Sequence, residues 1–325
     1  MDEAGALTGR RRRRFAYRVI AAIVMVMPLG YLGISVLAAH LLTRANNRTI
    51  DVDPHEVGPG AVDWHTRTAD GLTLRGWYYP TGERKRLIVL VHGMGGSWGE
   101  MAALGSDLRG LGHDVLLFDL RGHGRSDPSR LFMGRRERND LKAVQAWADR
   151  QGFPPGRVGW LGYSMGASTL LMEAAENADI RTAVLDSPYG NLPELLGRQL
   201  PEHSHLPSLF TPGILVAARL VFGVRTDDLV PIRSARQWGD RPVLLFHGEA
   251  DSVVPVAQSR RLARVLGPSC RAYVLPGVEH VSAYGRHRDR YVATVDAFFR
   301  RNLHGEGAVA GLETPVATPS AGVAR

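Results

Sequence analysis

The sequence predicts an α/β architecture: a mostly parallel, doubly wound sheet that starts with an antiparallel hairpin, a helical cap inserted over the strand ends, and a transmembrane helix in front. Three observations carry this reading. Short leucine-rich and β-branched runs alternate with helical stretches, the rhythm of a parallel sheet covered on both faces. The 25 positions between Arg18 and Arg44 hold no Asp, Glu, Lys or Arg. Residues 192–237 break the strand–helix rhythm, look helical and amphipathic, and carry prolines at Pro193, Pro201, Pro207 and Pro212.

The elements follow in order. Arg10 to Arg14 and Arg18 make a basic tail over residues 1–18. Residues 19–43 form the apolar span, and about 20 such residues cross a bilayer core as helix. Pro28, Gly30 and Gly33 lie inside it, which a lipid-embedded helix tolerates. A cleaved secretory signal is the alternative, but its apolar core runs only about 7–15 residues. A buried core helix fits less well, because no partner helix of similar apolarity stands out. The arginines before the span outnumber Arg44 and Arg48 after it. The positive-inside rule therefore puts the N-terminus in the cytoplasm and the remaining chain on the extracytoplasmic side.

A polar linker is expected over 44–61. Residues 62–68 and 72–79 alternate apolar and polar positions around Asp70-Gly71, the pattern of a β-hairpin. Continuous apolar runs at 87–91, 115–118, 158–161, 183–185, 243–246 and 272–275 read as buried strands. Helices are expected over 101–111, 136–151, 164–177, 256–266 and 286–300. The globular domain covers 62–302, with its cap at about 190–240. Residues 303–325, rich in Gly, Ala, Pro and Thr, read as a disordered tail.

Composition narrows the function classes. A chain of 325 residues suits one large α/β domain plus an appendage. The formal charge is +8, yet beyond the tail the arginines are interspersed with acidic residues. That describes an ion-paired surface. A nucleic-acid groove needs a basic stripe with interleaved aromatics, which the chain lacks. The tail arginines suit anionic lipid beside the span better than nucleic acid. Cys270 is the sole cysteine, which excludes an intramolecular disulfide and a multi-cysteine metal site. No metal or organic cofactor is implied.

Gly162-Tyr163-Ser164-Met165-Gly166 follows directly on the apolar run 158–161. A Gly-x-Ser-x-Gly sequence at a strand-to-helix turn projects its serine hydroxyl clear of the sheet edge, and the glycines let strand and helix approach. Ser164 is thus the candidate nucleophile. It needs a base, and the base needs a carboxylate to orient it. These partners are expected on loops after later strands, in the order Ser, Asp, His. Asp251 lies in His247-Gly248-Glu249-Ala250-Asp251 and His280 ends Gly277-Val278-Glu279-His280. Glu249 is an alternative acid, and Asp251 could instead serve as a helix cap. The oxyanion needs prearranged N–H donors. The Met165 amide follows the nucleophile, and the Met94 amide lies in the loop His92-Gly93-Met94-Gly95-Gly96. That loop lacks the Lys-Ser/Thr pair of a phosphate-binding P-loop, and His92 reads as structural.

Together with Asp119-Leu120-Arg121-Gly122-His123-Gly124-Arg125-Ser126 and Asp186-Ser187-Pro188-Tyr189, these motifs resemble the α/β-hydrolase superfamily over residues 62–302. They are most similar to its membrane-anchored hydrolase-domain and serine-aminopeptidase-like branch. The resemblance implies an α/β-hydrolase fold, with Ser164 as nucleophile, His280 as base, Asp251 as acid and Met94 and Met165 as oxyanion donors. It also implies that Arg121, Gly122 and His123 shape a loop rather than react. The expected activity is hydrolysis of a small-molecule or lipid-like acyl ester, thioester or amide. The rival expectation is a non-catalytic binding or scaffold protein of the same fold at the cell surface.

Overall fold

The computed structural model describes residues 3–45, 49–50, 52–83 and 86–303, with side chains from Arg14 onward except Ile23 and His203. The disordered tail expected after Leu303 lies outside the described residues, as do positions 46–48 and 51 of the expected linker.

The chain starts with a long helix, α1 (Glu3–Thr43), followed by the short α2 (Pro54–Val57), whose first turn is capped by the Asp53 carboxylate. β1 (Val62–Arg67) and β2 (Thr73–Tyr79) form the hairpin expected around Asp70-Gly71. Gly71 has φ of 89°, a conformation that suits a residue without Cβ. Then come β3 (Leu87–Val91), α3 (Ala102–Gly110), β4 (Asp114–Phe118), α4 (Arg138–Arg150), β5 (Val158–Tyr163), α5 (Met165–Glu176) and β6 (Ala183–Asp186). The cap follows as α6 (Leu192–Ser204), α7 (Phe210–Phe222) and α8 (Pro231–Ala235). The chain returns to the sheet through β7 (Val243–Gly248), α9 (Ala257–Leu266), β8 (Cys270–Leu275), α10 (Ala283–Arg286) and α11 (Arg288–Asn302).

The eight strands lie in the order β1-β2-β4-β3-β5-β6-β7-β8. β2 runs antiparallel to β1 and β4, and all other pairs are parallel. Every residue of β3 to β7 is buried, as their unbroken apolar runs require. The pleat divides them between two cores. Leu87, Val89 and Val91 join α4, α5 and α9 on one face, while Ile88 and Leu90 join α3 and α11 on the other. The strand order reverses between β3 and β5, so the loops after these two strands flank a crevice at one sheet edge.

A third apolar cluster sits outside the sheet. It joins Ala39 of α1 with Phe132, with Leu200 of α6 and with Ile214, Ala217 and Ala218 of α7. This corrects the expectation that the apolar span has no partner helix of its own kind. α7 is that partner. Its 13 residues are too short to stand out as an apolar segment, and Pro212 and Arg219 interrupt the run. The two helices run side by side in the same direction. Tyr31 stacks on Phe210 with ring centroids 5.0 Å apart, and His40 meets Phe222 at 5.7 Å. Between those contacts a Cβ at position 213 would fall 2.4 Å from Ser35 Oγ and 2.6 Å from the Tyr31 hydroxyl, so a larger residue at this crossing would force both side chains to move. α1 is long and apolar enough from Arg14 to Thr43 to cross a membrane.

A close approach also limits the sheet core. A Cβ at Gly159 would lie 2.6 Å from the Phe299 ring and 2.9 Å from Ile88. Gly159→Ala is therefore expected to destabilise the domain by about 1–3 kcal/mol through overpacking. Thermal unfolding followed by circular dichroism checks this, and an unchanged midpoint would mean that α11 shifts freely.

Candidate active site

β5 turns into α5 at Ser164, whose backbone sits at φ 49°, ψ −113°, a conformation that L-residues resist. The turn is tight because two glycines remove the obstructions. A Cβ at Gly162 would fall 2.6 Å from Ala167 N, and one at Gly166 would fall 2.4 Å from Val91 O. The Ser164 amide donates to Asp186 O at 2.8 Å, which ties the turn to β6.

The structure brings the three sequence-selected side chains into one relay. Ser164 Oγ lies 2.9 Å from His280 Nε2, and His280 Nδ1 lies 2.7 Å from Asp251 Oδ2. A carboxylate only accepts, so Nδ1 carries the ring proton and Nε2 is left to accept from the serine hydroxyl. Gly248 makes this convergence possible. A Cβ there would lie 2.1 Å from Val278 O, so the loops after β7 and β8 touch backbone to backbone.

Asp251 is held from several sides. Its Oδ1 accepts the amides of Val253 and Val254 at 2.9 and 2.7 Å, and buried His247 Nε2 lies 3.1 Å from Oδ2. Burial alone would raise the carboxyl pKa, but hydrogen bonds to His247, His280 and the Val254 amide outweigh it and bring the group to about 2. The capping geometry and the contact with His280 therefore coexist on the two oxygens of one carboxylate. Glu249, the alternative acid, is exposed and pairs with Arg260 instead.

The loop after β3 closes the other side. A Cβ on Gly93 would come within 3.3 Å of Ser164 Cβ, so this backbone runs against the serine. The Met94 amide follows at that approach. The Met165 amide is the first N–H of α5, where no intrahelical acceptor exists. Buried His92 fixes the loop: its Nδ1–H donates to Gly93 O at 2.7 Å and its Nε2 accepts from Leu120 N at 3.0 Å. His123 Nε2 accepts the Gly95 amide at 3.1 Å. Burial lowers both imidazoles to about 4, and for His123 the neighbouring His92 adds to the effect. Both are neutral struts. Arg121 is buried against Asp140 and Asp70, with its Nε donating to Asp140 Oδ1 at 2.8 Å.

Sequence reasoning missed the support beneath His280. Ser187, at φ 53°, donates through Oγ to Asp186 Oδ1 at 2.9 Å and accepts the Val281 amide at 3.2 Å. It thereby pins the residue next to His280, which itself has φ of 51°. Burial raises the Asp186 carboxyl to about 6, although its contacts with Ser187 and Tyr291 oppose this. The Asp-Ser-Pro-Tyr run after β6 was the available signal.

A cavity of about 210 Å³ opens beside Ser164. Its walls are almost wholly apolar, with Met94, Met133, Leu195, Leu196 and Leu200 among them, and Leu42 of α1 completes the lining. A larger groove of about 710 Å³ lies by Val243, Ser269 and Arg271, where β7 and β8 begin. That is the sheet edge opposite the relay. A third cavity of about 470 Å³ adjoins Tyr163 and Val281, but the smaller, apolar one is lined by Ser164 itself.

Comparison with known proteins agrees with the fold. The sequence matches the alpha/beta hydrolase fold family over residues 86–210 and the prolyl oligopeptidase family over 226–306. An uncharacterised Mycobacterium tuberculosis protein is 30% identical over 227 residues, covering 68% of this chain and 73% of the relative. An uncharacterised Bacillus subtilis protein is 29% identical over 71% of this chain and 76% of its own length. Among solved structures, a Pyrococcus furiosus esterase superposes with a TM-score of 0.67 at 23% identity, covering 81% of this chain and 98% of that one. A Rhodococcus esterase superposes with a TM-score of 0.53 at 22% identity, covering 74% and 99%. At such identities the structures establish the shared fold.

Asp251 also gives a pH signature. Its folded pKa of about 2 lies below the usual value of about 4, so its contribution is present above pH 4 and lost as pH falls toward 2. The displacement corresponds to about 2 kcal/mol of stability at neutral pH. Unfolding midpoints of wild type and Asp251→Asn, measured from pH 7 to pH 2, should differ most at neutrality and converge at the acid end.

Proposed function

The chain belongs to the α/β-hydrolase family, and we propose that it is a membrane-anchored serine hydrolase cleaving a carboxylic ester, thioester or amide through an acyl-enzyme. The observation that carries this is the unbroken relay from Ser164 Oγ through the His280 ring to Asp251. His280 Nε2 takes the hydroxyl proton as Ser164 attacks the carbonyl carbon. Asp251, ionised at neutral pH, stabilises the imidazolium that forms. The carbonyl oxygen gains negative charge against the Met94 and Met165 amides, each such donor contributing about 3–4 kcal/mol in comparable sites. His280 then protonates the leaving group. Water enters, gives its proton to the same nitrogen, and releases the acid. These steps require only side chains, backbone amides and water.

The membrane part of the proposal rests on α1. Its first half, as far as Gly30, is exposed wherever its side chains are described, and it is strongly apolar from Val19 on. Its second half packs on α7, burying Ser35 and Ala39. Cleavage as a signal segment would strip the cover from Phe132, Ile214, Ala217 and Ala218, so a retained anchor is the reading that leaves no apolar cluster bare. The arginine excess before the span favours a cytoplasmic N-terminus and an extracytoplasmic hydrolase domain.

A fluorophosphonate probe is expected to label the wild-type protein, and Ser164→Ala to abolish labelling. The same substitution should lower kcat for a short aryl ester by about 10⁴-fold or more. Equal labelling of both proteins would exclude Ser164 as nucleophile, and absence of labelling together with absence of ester turnover would favour the scaffold reading. Protease added to sealed right-side-out membrane vesicles is expected to degrade the domain, and protection there would reverse the orientation.

A further inference from the structure

We propose, resting on the serine-hydrolase reading above, that α1 is a wall of the substrate site as well as an anchor, and that the substrate is an ester whose acyl chain reaches Ser164 from the bilayer. Leu42 supplies the contact. It stands on the last turn of α1 and lines the apolar cavity that ends at Ser164. The cavity is smaller than the roughly 300–1,000 Å³ of sites that enclose a whole drug-sized ligand. At about 210 Å³ with almost no polar lining, it suits one hydrocarbon chain.

The position of α1 is fixed by specific contacts. The Tyr31 hydroxyl donates to Leu209 O and accepts the Gly213 amide, both at 3.0 Å. At the other end Leu131 N donates to Thr43 O at 2.9 Å, and Arg130 donates to Thr43 Oγ1 at 3.1 Å while its guanidinium covers the Phe222 ring at 4.0 Å. Leu42 is held between these two fastenings.

Depth follows from helix geometry. Twenty residues from Val19 fill a hydrocarbon core of about 30 Å and end near Ala38. Tyr31 and Ser35 then lie inside the lipid, and the start of α7, packed on them, lies there too. α7 is suited to this: Leu209 just before it and Val216, Leu220 and Val221 along it are exposed, Leu220 to 76%. Leu42 stands four residues past Ala38, about 6 Å beyond the core boundary. The cavity beside Ser164 therefore meets the lipid surface, and a chain rising along α1 passes Leu42 before its carbonyl reaches the serine.

The test uses the full chain in phosphatidylcholine vesicles and reads the ratio of kcat/KM for p-nitrophenyl octanoate to that for the acetate. Leu42→Trp is expected to lower the ratio about tenfold by shortening the cavity, a change in keeping with the reach of methylene-sized differences in apolar pockets. Leu42→Ala, which carries less folding risk, is expected to raise the ratio by lengthening the cavity. Leu37→Trp, on a lipid-facing position of the same helix, is expected to leave the ratio as it is. A ratio blind to position 42, or shifted equally by position 37, overturns the inference while leaving the serine hydrolase standing. A wild-type protein that hydrolyses neither ester overturns both.

Discussion

The tight turn at Ser164 is the constraint on which the rest of the site depends. An L-residue at φ 49° costs about 1–3 kcal/mol, and the surrounding contacts must hold it there. They do so from three sides: Gly162 against Ala167, Gly166 against Val91, and the Ser164 amide on Asp186 O. The same turn starts α5, which leaves the Met165 amide unpaired within the helix and next to the reacting hydroxyl. Strain, the placement of the hydroxyl and a free helix-start amide, the proposed oxyanion donor, are thus products of a single backbone geometry.

Polar burial around this turn follows one pattern. His92, His123 and His247 are buried with their ring nitrogens engaged by backbone groups, a serine hydroxyl or Asp251, and they act as rigid spacers. His280 differs, because its Nε2 faces Ser164 and its ring remains partly exposed. Four imidazoles crowd one sheet edge, and only the one whose free nitrogen meets a hydroxyl is placed to move a proton. Asp251 reinforces the division by offering one oxygen to backbone amides and the other to His280.

Much of this was legible in the sequence, for reasons that can be traced. β3 to β7 announced themselves because both faces are buried, so their apolar runs are unbroken. β8, expected to be buried in the same way, is instead the edge strand of the sheet and is half-buried to exposed along its length. Ser164, Asp251 and His280 could be selected because each follows a strand in the order the sheet demands. Gly162 and Gly166 marked the tight turn. What stayed hidden depends on distant pairings or on unusual backbone. The Asp-Ser-Pro-Tyr run marks Ser187, but nothing in it names Val281, 94 positions away, as the residue it supports. His123 holding Gly95 is equally invisible, since the pair is joined only by the crossing of two loops. α7 was not legible as a partner of α1 because it is short and Pro212 and Arg219 break up its apolar pattern, whereas its pairing rests on Gly213 lying against Ser35.

The double fastening of α1, at Tyr31 and again at Thr43, has a mechanical consequence. A domain on a loose leash tumbles through all attitudes and presents its mouth to a surface only in a fraction of them. A domain clamped to its stalk at two points has given up tilting and keeps only the spin about that stalk. Under the proposed anchoring, encounters with molecules embedded in the same leaflet become a search in a plane, governed by lateral drift rather than by tumbling.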